Sequence, residues 1–320
     1  MSGYEMKAYG PVPSRRLGQS LGINHIPPKI CTYSCVYCQI GRTIRMRSER
    51  REFYSPEEAS KEVEVQVNKV LGRNESIDYL TFVPDGEPTL DINLGREIEL
   101  LKPLGIKIAV ISNASLMWRE DVRSDLLEAD WVSMKVDAVT ETLWRRVNRP
   151  HGALNHEAVL EGMKAFAEIF KGELATETML IKGLNDGCKE AEKIADFLTD
   201  LRPEKAYVAI PTRPPADKWA KPADERAINR AYQIFDEKLK HVEYLIGYEG
   251  NAFAFTGNVE DDLLSITSVH PMREEGVNML LSKAGESWDF VHRLIEEHKL
   301  VETEYRGKKF YMRKLPTHAS

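Results

Sequence analysis

A chain of 320 residues, 42% hydrophobic and 29% charged, can bury a large core and has the composition of an ordinary globular protein. Its formal charge of −6 excludes a globally basic nucleic-acid binder, so any basic surface must be local. No apolar run approaches bilayer length and the opening MSGYEMKAYGPVPSRR lacks the apolar stretch of a signal peptide, so a cytoplasmic protein without a membrane partner is expected.

From residue 19 to about residue 246, short β-rich runs alternate with helical ones. Strands are expected over 19–25, 77–83, 107–112, 131–136, 174–181 and 205–210. Helices fall near 56–71, 93–103, 119–129, 155–170, 188–201 and 222–239. Ser55-Pro56-Glu57-Glu58 announces the first helix with an N-cap, a first-turn proline and a capping-box glutamate. The run 107–112 is almost continuously apolar, as expected when helices cover a sheet. Six β-then-α units imply an α/β fold around a parallel sheet, with chemistry on the loops that follow the strands.

After about residue 250 the rhythm changes. Residues 260–268, 272–284 and 286–299 read as three short helices, and 301–305 and 309–313 as β runs around Arg306-Gly307-Lys308. Three helices and a hairpin are the outline of a winged helix. The expected organisation is therefore a large domain over 1–250 and a winged-helix domain over 251–320.

Three of the four cysteines crowd into Cys31-Thr32-Tyr33-Ser34-Cys35-Val36-Tyr37-Cys38, just after the first expected strand. A disulfide scaffold would scatter them, so clustered thiols point to metal. Three thiolates on one short loop can hold three irons of a cubane and leave the fourth open. Structural zinc is the rival, making the chain a metal-stabilised nucleic-acid-binding protein and not an enzyme. Zinc wants four protein ligands, however, and His25, His151, His156 and His270 are scattered. Cys188 stands alone and reads as a packing thiol.

The spacing Cys-x3-Cys-x2-Cys, with an aromatic before the last cysteine, resembles the radical S-adenosylmethionine (SAM) superfamily. The resemblance implies a partial (β/α)6 barrel and a [4Fe-4S] cluster on Cys31, Cys35 and Cys38. It also implies SAM chelated at the open iron, an external electron donor, and a radical that takes hydrogen from the substrate. By the same resemblance Tyr37 lies against the adenine. Pro84-Asp85-Gly86-Glu87-Pro88 resembles the superfamily's Gly-Gly-Glu-Pro segment, with Asp85 in place of the first glycine. Gly86 would let the backbone approach the cofactor, and Glu87 would receive its ammonium. Asn113 and Asp137, which end the third and fourth strands, are implied contacts to cofactor or substrate. Thr176-Glu177-Thr178 lies within the fifth strand, and Lys182-Gly183-Leu184-Asn185 resembles a further superfamily segment at its end.

Pro11-Val12-Pro13-Ser14-Arg15-Arg16-Leu17-Gly18 and Pro211-Thr212-Arg213-Pro214-Pro215-Ala216 resemble a branch grouped with the tRNA wyosine-base synthases. Those enzymes use a second cluster or a lysine, and the upstream cysteines for a second cluster are missing here. Arginines at 42, 45, 47, 50 and 51, at 145, 146 and 149, and at 213 recur after strand ends, as an anion-binding rim would. The hairpin's stretch 305–314 carries Arg306, Lys308, Lys309, Arg313 and Lys314 with no acid, an edge suited to a nucleic-acid backbone. The expected substrate is large and anionic, RNA ahead of a peptide, recruited by the winged helix.

Overall fold

The computed structural model describes residues 7–247, 250, 251 and 253–314. The opening six residues, residues 248, 249 and 252 at the expected domain boundary, and the final six lie outside the described residues. All six expected strands form, and two more join them.

The chain begins with a hairpin of β1 (Lys7–Ser14) and β2 (Gly18–Asn24). β1 was not expected, because Pro11 and Pro13 mask its β character. Proline is tolerated on an edge strand, and the register shifts between Tyr9 and Val12 to pass Pro11. A two-residue pair, β3 (Ile30–Cys31) and β4 (Arg45–Met46), follows. Then come α1 (Pro56–Leu71), β5 (Tyr79–Phe82), α2 (Leu94–Leu101), β6 (Lys107–Ser112), α3 (Glu120–Leu126) and β7 (Trp131–Lys135). The series continues through α4 (Glu141–Val147), α5 (His156–Ile169), β8 (Glu173–Met179), α6 (Cys188–Leu201), β9 (Lys205–Ala209), α7 (Glu225–Asp236) and β10 (Val242–Leu245). The capping box on α1 does not form: the Ser55 hydroxyl donates to Glu57, and no side chain caps the helix.

One eight-stranded sheet results, ordered β1-β2-β5-β6-β7-β8-β9-β10, parallel at every pairing except the first hairpin. Leu80, Phe82, Ile108, Val110, Val132 and Met134 point outward into the helix layer. The opposite face is split. Leu17, Ala109, Trp131, Ala175 and Tyr207 form an apolar floor. Above it, residues from all eight strands, from Tyr9 of β1 to Leu245 of β10, line one cavity of about 310 Å³. A sheet whose every strand faces one cavity is curled around it.

The last segment contains α8 (Val259–Val269), β11 (Met272–Arg273), α9 (Glu274–Ala284), α10 (Trp288–Glu296), β12 (Leu300–Tyr305) and β13 (Lys308–Arg313). Its strands form a separate sheet ordered β11-β13-β12. β11 occupies two residues expected to be helical, because Met272 and Arg273 pair with Tyr311 and Phe310. The core of this module includes Leu263, Ile266, Leu280 and Leu294, and Tyr9 and Val12 of β1 as well. The N-terminal edge strand and the C-terminal module therefore share one apolar core.

Glu97 of α2 is 1% exposed, and neither carboxylate oxygen meets a donor among the described residues. Burial, with the Asp91 charge adding to it, raises its pKa from 4.5 to about 9. The fold thus holds a proton that the unfolded chain releases, so stability should fall as pH rises from 4.5 toward about 9 and level off above. Glu97→Gln should flatten that slope, and its urea midpoint should gain on the wild type from about pH 5 to about pH 9. A constant difference between the two proteins would mean that Glu97 is ionised inside the fold.

Candidate active site

The cysteine loop leaves β3 and is braced on both sides by backbone. Ser34 and Val36 donate to the carbonyls of Asn148 and Val147, and His151 donates to that of Thr32. Asp217, from the loop after β9, donates to Val36 at 3.0 Å. Two of the sulfurs accept from neutral amides: Asn113 Nδ2 lies 3.5 Å from Cys31 Sγ, and Asn148 Nδ2 lies 3.4 Å from Cys35 Sγ. All three thiols are free and line the cavity. Burial is the main cause that pushes each thiol upward, Cys31 to about 12, with the Glu87 charge adding at Cys31 and Asp137 at Cys35. Such thiols keep their protons until a positively charged centre replaces them. Among the described residues no three His, Cys, Asp or Glu side chains close on a single metal ion.

The Pro84–Pro88 segment docks directly onto the strand that carries Cys31. Lys29 N donates to Asp85 O at 2.9 Å, and Glu87 N donates to Ile30 O at 3.3 Å. A Cβ on Gly86 would lie 1.8 Å from Ile30 O, so only glycine allows this approach. Glu87 is buried, and its carboxylate accepts from Thr89 N and Oγ1, Ser112 Oγ and Asn113 N. It therefore pins the end of β6 beside the cysteine strand. Asp85 also lines the cavity; Asn24 donates to its Oδ2, while its Oδ1 has no partner among the described residues. Burial raises the Asp85 pKa to about 7, against the opposing pull of Asn24, Arg313 and Lys29.

Tyr37 and Asn113 line the cavity, whereas Asp137 sits behind Tyr37 and does not. Asp137 accepts from the Tyr37 hydroxyl, from Asn148 Nδ2 and from Met179 N, joining the ends of β7 and β8 to the cysteine loop. Asn185 is fully buried and donates to the carbonyls of Asp137 and Met179, so it braces the same junction. Inside the curl, Arg16 and Lys135 both pair with Glu177. Sequence reasoning gave Glu177 no role of its own; its inward position at the centre of β8 was the available signal.

The expected arginine rim is reorganised. The Arg50 side chain is buried and tied to the carbonyls of Thr89 and Asp91 and to Asp121 and Asp125. Arg145 pairs with Glu141, while Arg42 and Arg149 converge on Asp217. On the C-terminal hairpin, Lys308 pairs with Glu275 of α9 and Lys309 with Glu302 of β12, acids that precede the basic stretch 305–314. Arg313 instead lies near enough to Asp85 to lower its pKa. The basic edge read from the hairpin is thus largely offset. What this module does contribute is a wall: Val269 and His270 line the cavity, and Gln39 Nε2, next to Cys38, donates to Val269 O at 2.6 Å. Cys188 lies elsewhere, at the start of α6, accepting from Arg230.

The family model of the Radical SAM superfamily matches residues 26–198, a span from before the cysteine loop into α6. The UPF0026 protein MJ1312 of Methanocaldococcus jannaschii is 53% identical over 310 residues, covering 96% of each chain. Two solved structures share the fold at low identity. Streptococcus suis SuiB, bound to precursor peptide SuiA, has a TM-score of 0.52 at 13% identity, over 72% of this chain and 51% of that one. TYW1 with a lysine-pyruvate adduct bound has a TM-score of 0.50 at 15% identity, over 69% and 74%. Among the described residues no helix is long and apolar enough to cross a membrane. A family match over more than half of the chain, which includes the three cavity-lining cysteines, places this protein in the radical SAM superfamily, whose members use a [4Fe-4S] cluster and S-adenosylmethionine.

Proposed function

We propose that this chain is a radical SAM enzyme that modifies an RNA, with Cys31, Cys35 and Cys38 holding the [4Fe-4S] cluster. The observation that carries the reading is the convergence of three free thiols, the Asp85–Glu87 backbone and Asn113 on one cavity. The thiols suit a multi-iron cluster better than one ion, since a tetrahedral zinc site would gather its ligands about a single centre. When bound, the cluster and SAM supply one-electron cleavage and a radical able to take hydrogen. The protein's own residues do the placing. Asn113 and Asn148 donate to sulfur, and such hydrogen bonds tune a cluster's potential. Gly86 lets the backbone reach the cofactor, Glu87 fixes Asn113 and Ser112 beside it, and Tyr37, held by Asp137, offers its ring to the adenine.

Residues 1–250 form the partial (β/α)6 barrel in this reading, and 251–320 a winged helix, with three helices and a β11-β13-β12 sheet in the appropriate order. The chamber is closed below by the apolar floor and at the side by the C-terminal module. A nucleobase turned out of its strand would approach the cluster and SAM from the open side of this chamber. The tRNA class rests on the likeness of residues 11–18 and 211–216 to the wyosine-grouped branch.

Anaerobically reconstituted protein should contain iron and sulfide, lose both on Cys31→Ala, Cys35→Ala or Cys38→Ala, and keep both on Cys188→Ala. After reduction by an external donor it should cleave SAM to methionine and 5′-deoxyadenosine. Colourless, zinc-loaded protein would sink the enzyme reading in favour of a metal-stabilised binder. Glu87→Ala should weaken SAM binding by about 1–3 kcal/mol through release of Asn113 and loss of a charged acceptor, read by equilibrium binding to the cluster-loaded protein. An unaltered affinity would remove Glu87 from the cofactor site.

A further inference from the structure

Trp219 has no part in the machinery above, yet its indole is 52% exposed on a loop that is otherwise fixed. Two residues before it, Asp217 is 3% exposed and holds both Arg42 and Arg149, while its amide donates to Val36 between the cysteines. One residue after it, Ala220 is fully buried in a cluster with Val36 and Val147. Both flanks of Trp219 are anchored, and its indole faces outward. The fold therefore displays a large aromatic face on the loop whose earlier residues, 210–213, line the cavity, next to Arg42, whose neighbour Gly41 lines it too.

We propose that Trp219, with Arg42, Arg149, Lys218 and Lys221, is a stacking platform for a nucleobase of single-stranded RNA entering the cavity. This rests on the RNA reading above and gives it a contact surface. The guanidinium of Arg149 lies 6.0 Å from the Trp219 ring centroid and braces the indole from one side. Lys218 and Lys221 flank it in sequence and are exposed, while Arg42 and Arg149 meet at Asp217. An aromatic face among cations fits the alternation of flat bases and phosphates in a single strand, because every base has a π-face. The platform also meets the geometric need of the chamber. A base turned into it leaves its neighbour unstacked at the rim, and Trp219 replaces that missing stack.

The test uses the full-length, cluster-loaded protein and a fluorescein-labelled 12-nucleotide oligouridine, read by anisotropy across a salt series. Trp219→Ala should weaken binding by about five- to a hundredfold, the range supplied by one base–aromatic stack, with the salt slope unchanged. Trp219→Phe should recover most of the affinity. Lys218→Gln with Lys221→Gln should lower the salt slope by about 0.7 for each phosphate that is no longer neutralised. Iron content and melting temperature of the Trp219 variants should match the wild type, because the anchors of the loop are untouched. Equal affinity of wild type and Trp219→Ala overturns the platform alone. A wild type without measurable affinity for the RNA overturns the RNA reading with it, and binding of an arginine-free acidic peptide at Trp219 in its place would assign the surface to a protein substrate.

Discussion

An open sheet has two edges, and everything distinctive about this protein follows from how they are covered. β1 and β10 end the eight-stranded order and do not pair with one another. Left bare, the gap would admit water to the cavity and offer strand edges to other chains. The C-terminal module reaches from β1 to the loop after β9. On one side Ala254 N donates to Pro11 O, and Tyr9 and Val12 enter the module's core. On the other, the Tyr305 hydroxyl donates to Pro211 O, and Arg213 meets His270. Below, Arg15 reaches from the first hairpin to Tyr244 O on β10. The module is thus a wall of the chamber before it is anything else.

The cysteine loop shows the same economy of parts. It has almost no regular structure of its own, and its shape is imposed by the segments after α4 and β9 that bond to its backbone. Buried carboxylates finish the task. Glu87 joins the Pro84–Pro88 segment to the end of β6, and Asp137 joins the ends of β7 and β8 to Tyr37 and Asn148. Each is buried and satisfied by several donors, which is the condition under which a polar group inside a protein orders its surroundings. The donors on sulfur, Asn113 and Asn148, are held by these two carboxylates.

Gly22 illustrates how far this ordering extends. A Cβ there would lie 2.1 Å from the Tyr9 ring, so the bare backbone of β2 makes room for Tyr9 to cross it. The Tyr9 hydroxyl then donates to Val83 O at the end of β5, one residue before the Pro84–Pro88 segment. One aromatic side chain therefore belongs to the edge strand, to the module that covers it, and to the cavity lining.

The sequence by itself determined the order of strands and helices, the parallel sheet and the thiol motif. These are local or periodic properties: apolar runs such as 107–112, caps and breakers, and three cysteines within eight positions. It did not reveal β1, whose prolines read as a loop until its place at the sheet edge makes them harmless, or β11, whose pairing with β13 overrides a helical pattern. Charge was the least legible property. Arg50 and Lys308 look alike as surface cations in the chain, yet one is buried among carbonyls and acids and the other meets Glu275 on α9. Whether a charge is free depends on partners distant in sequence, and only tertiary structure brings those partners together. The same holds for Trp219, whose display is decided by Asp217 and Ala220 anchoring its loop against a segment some 180 residues earlier.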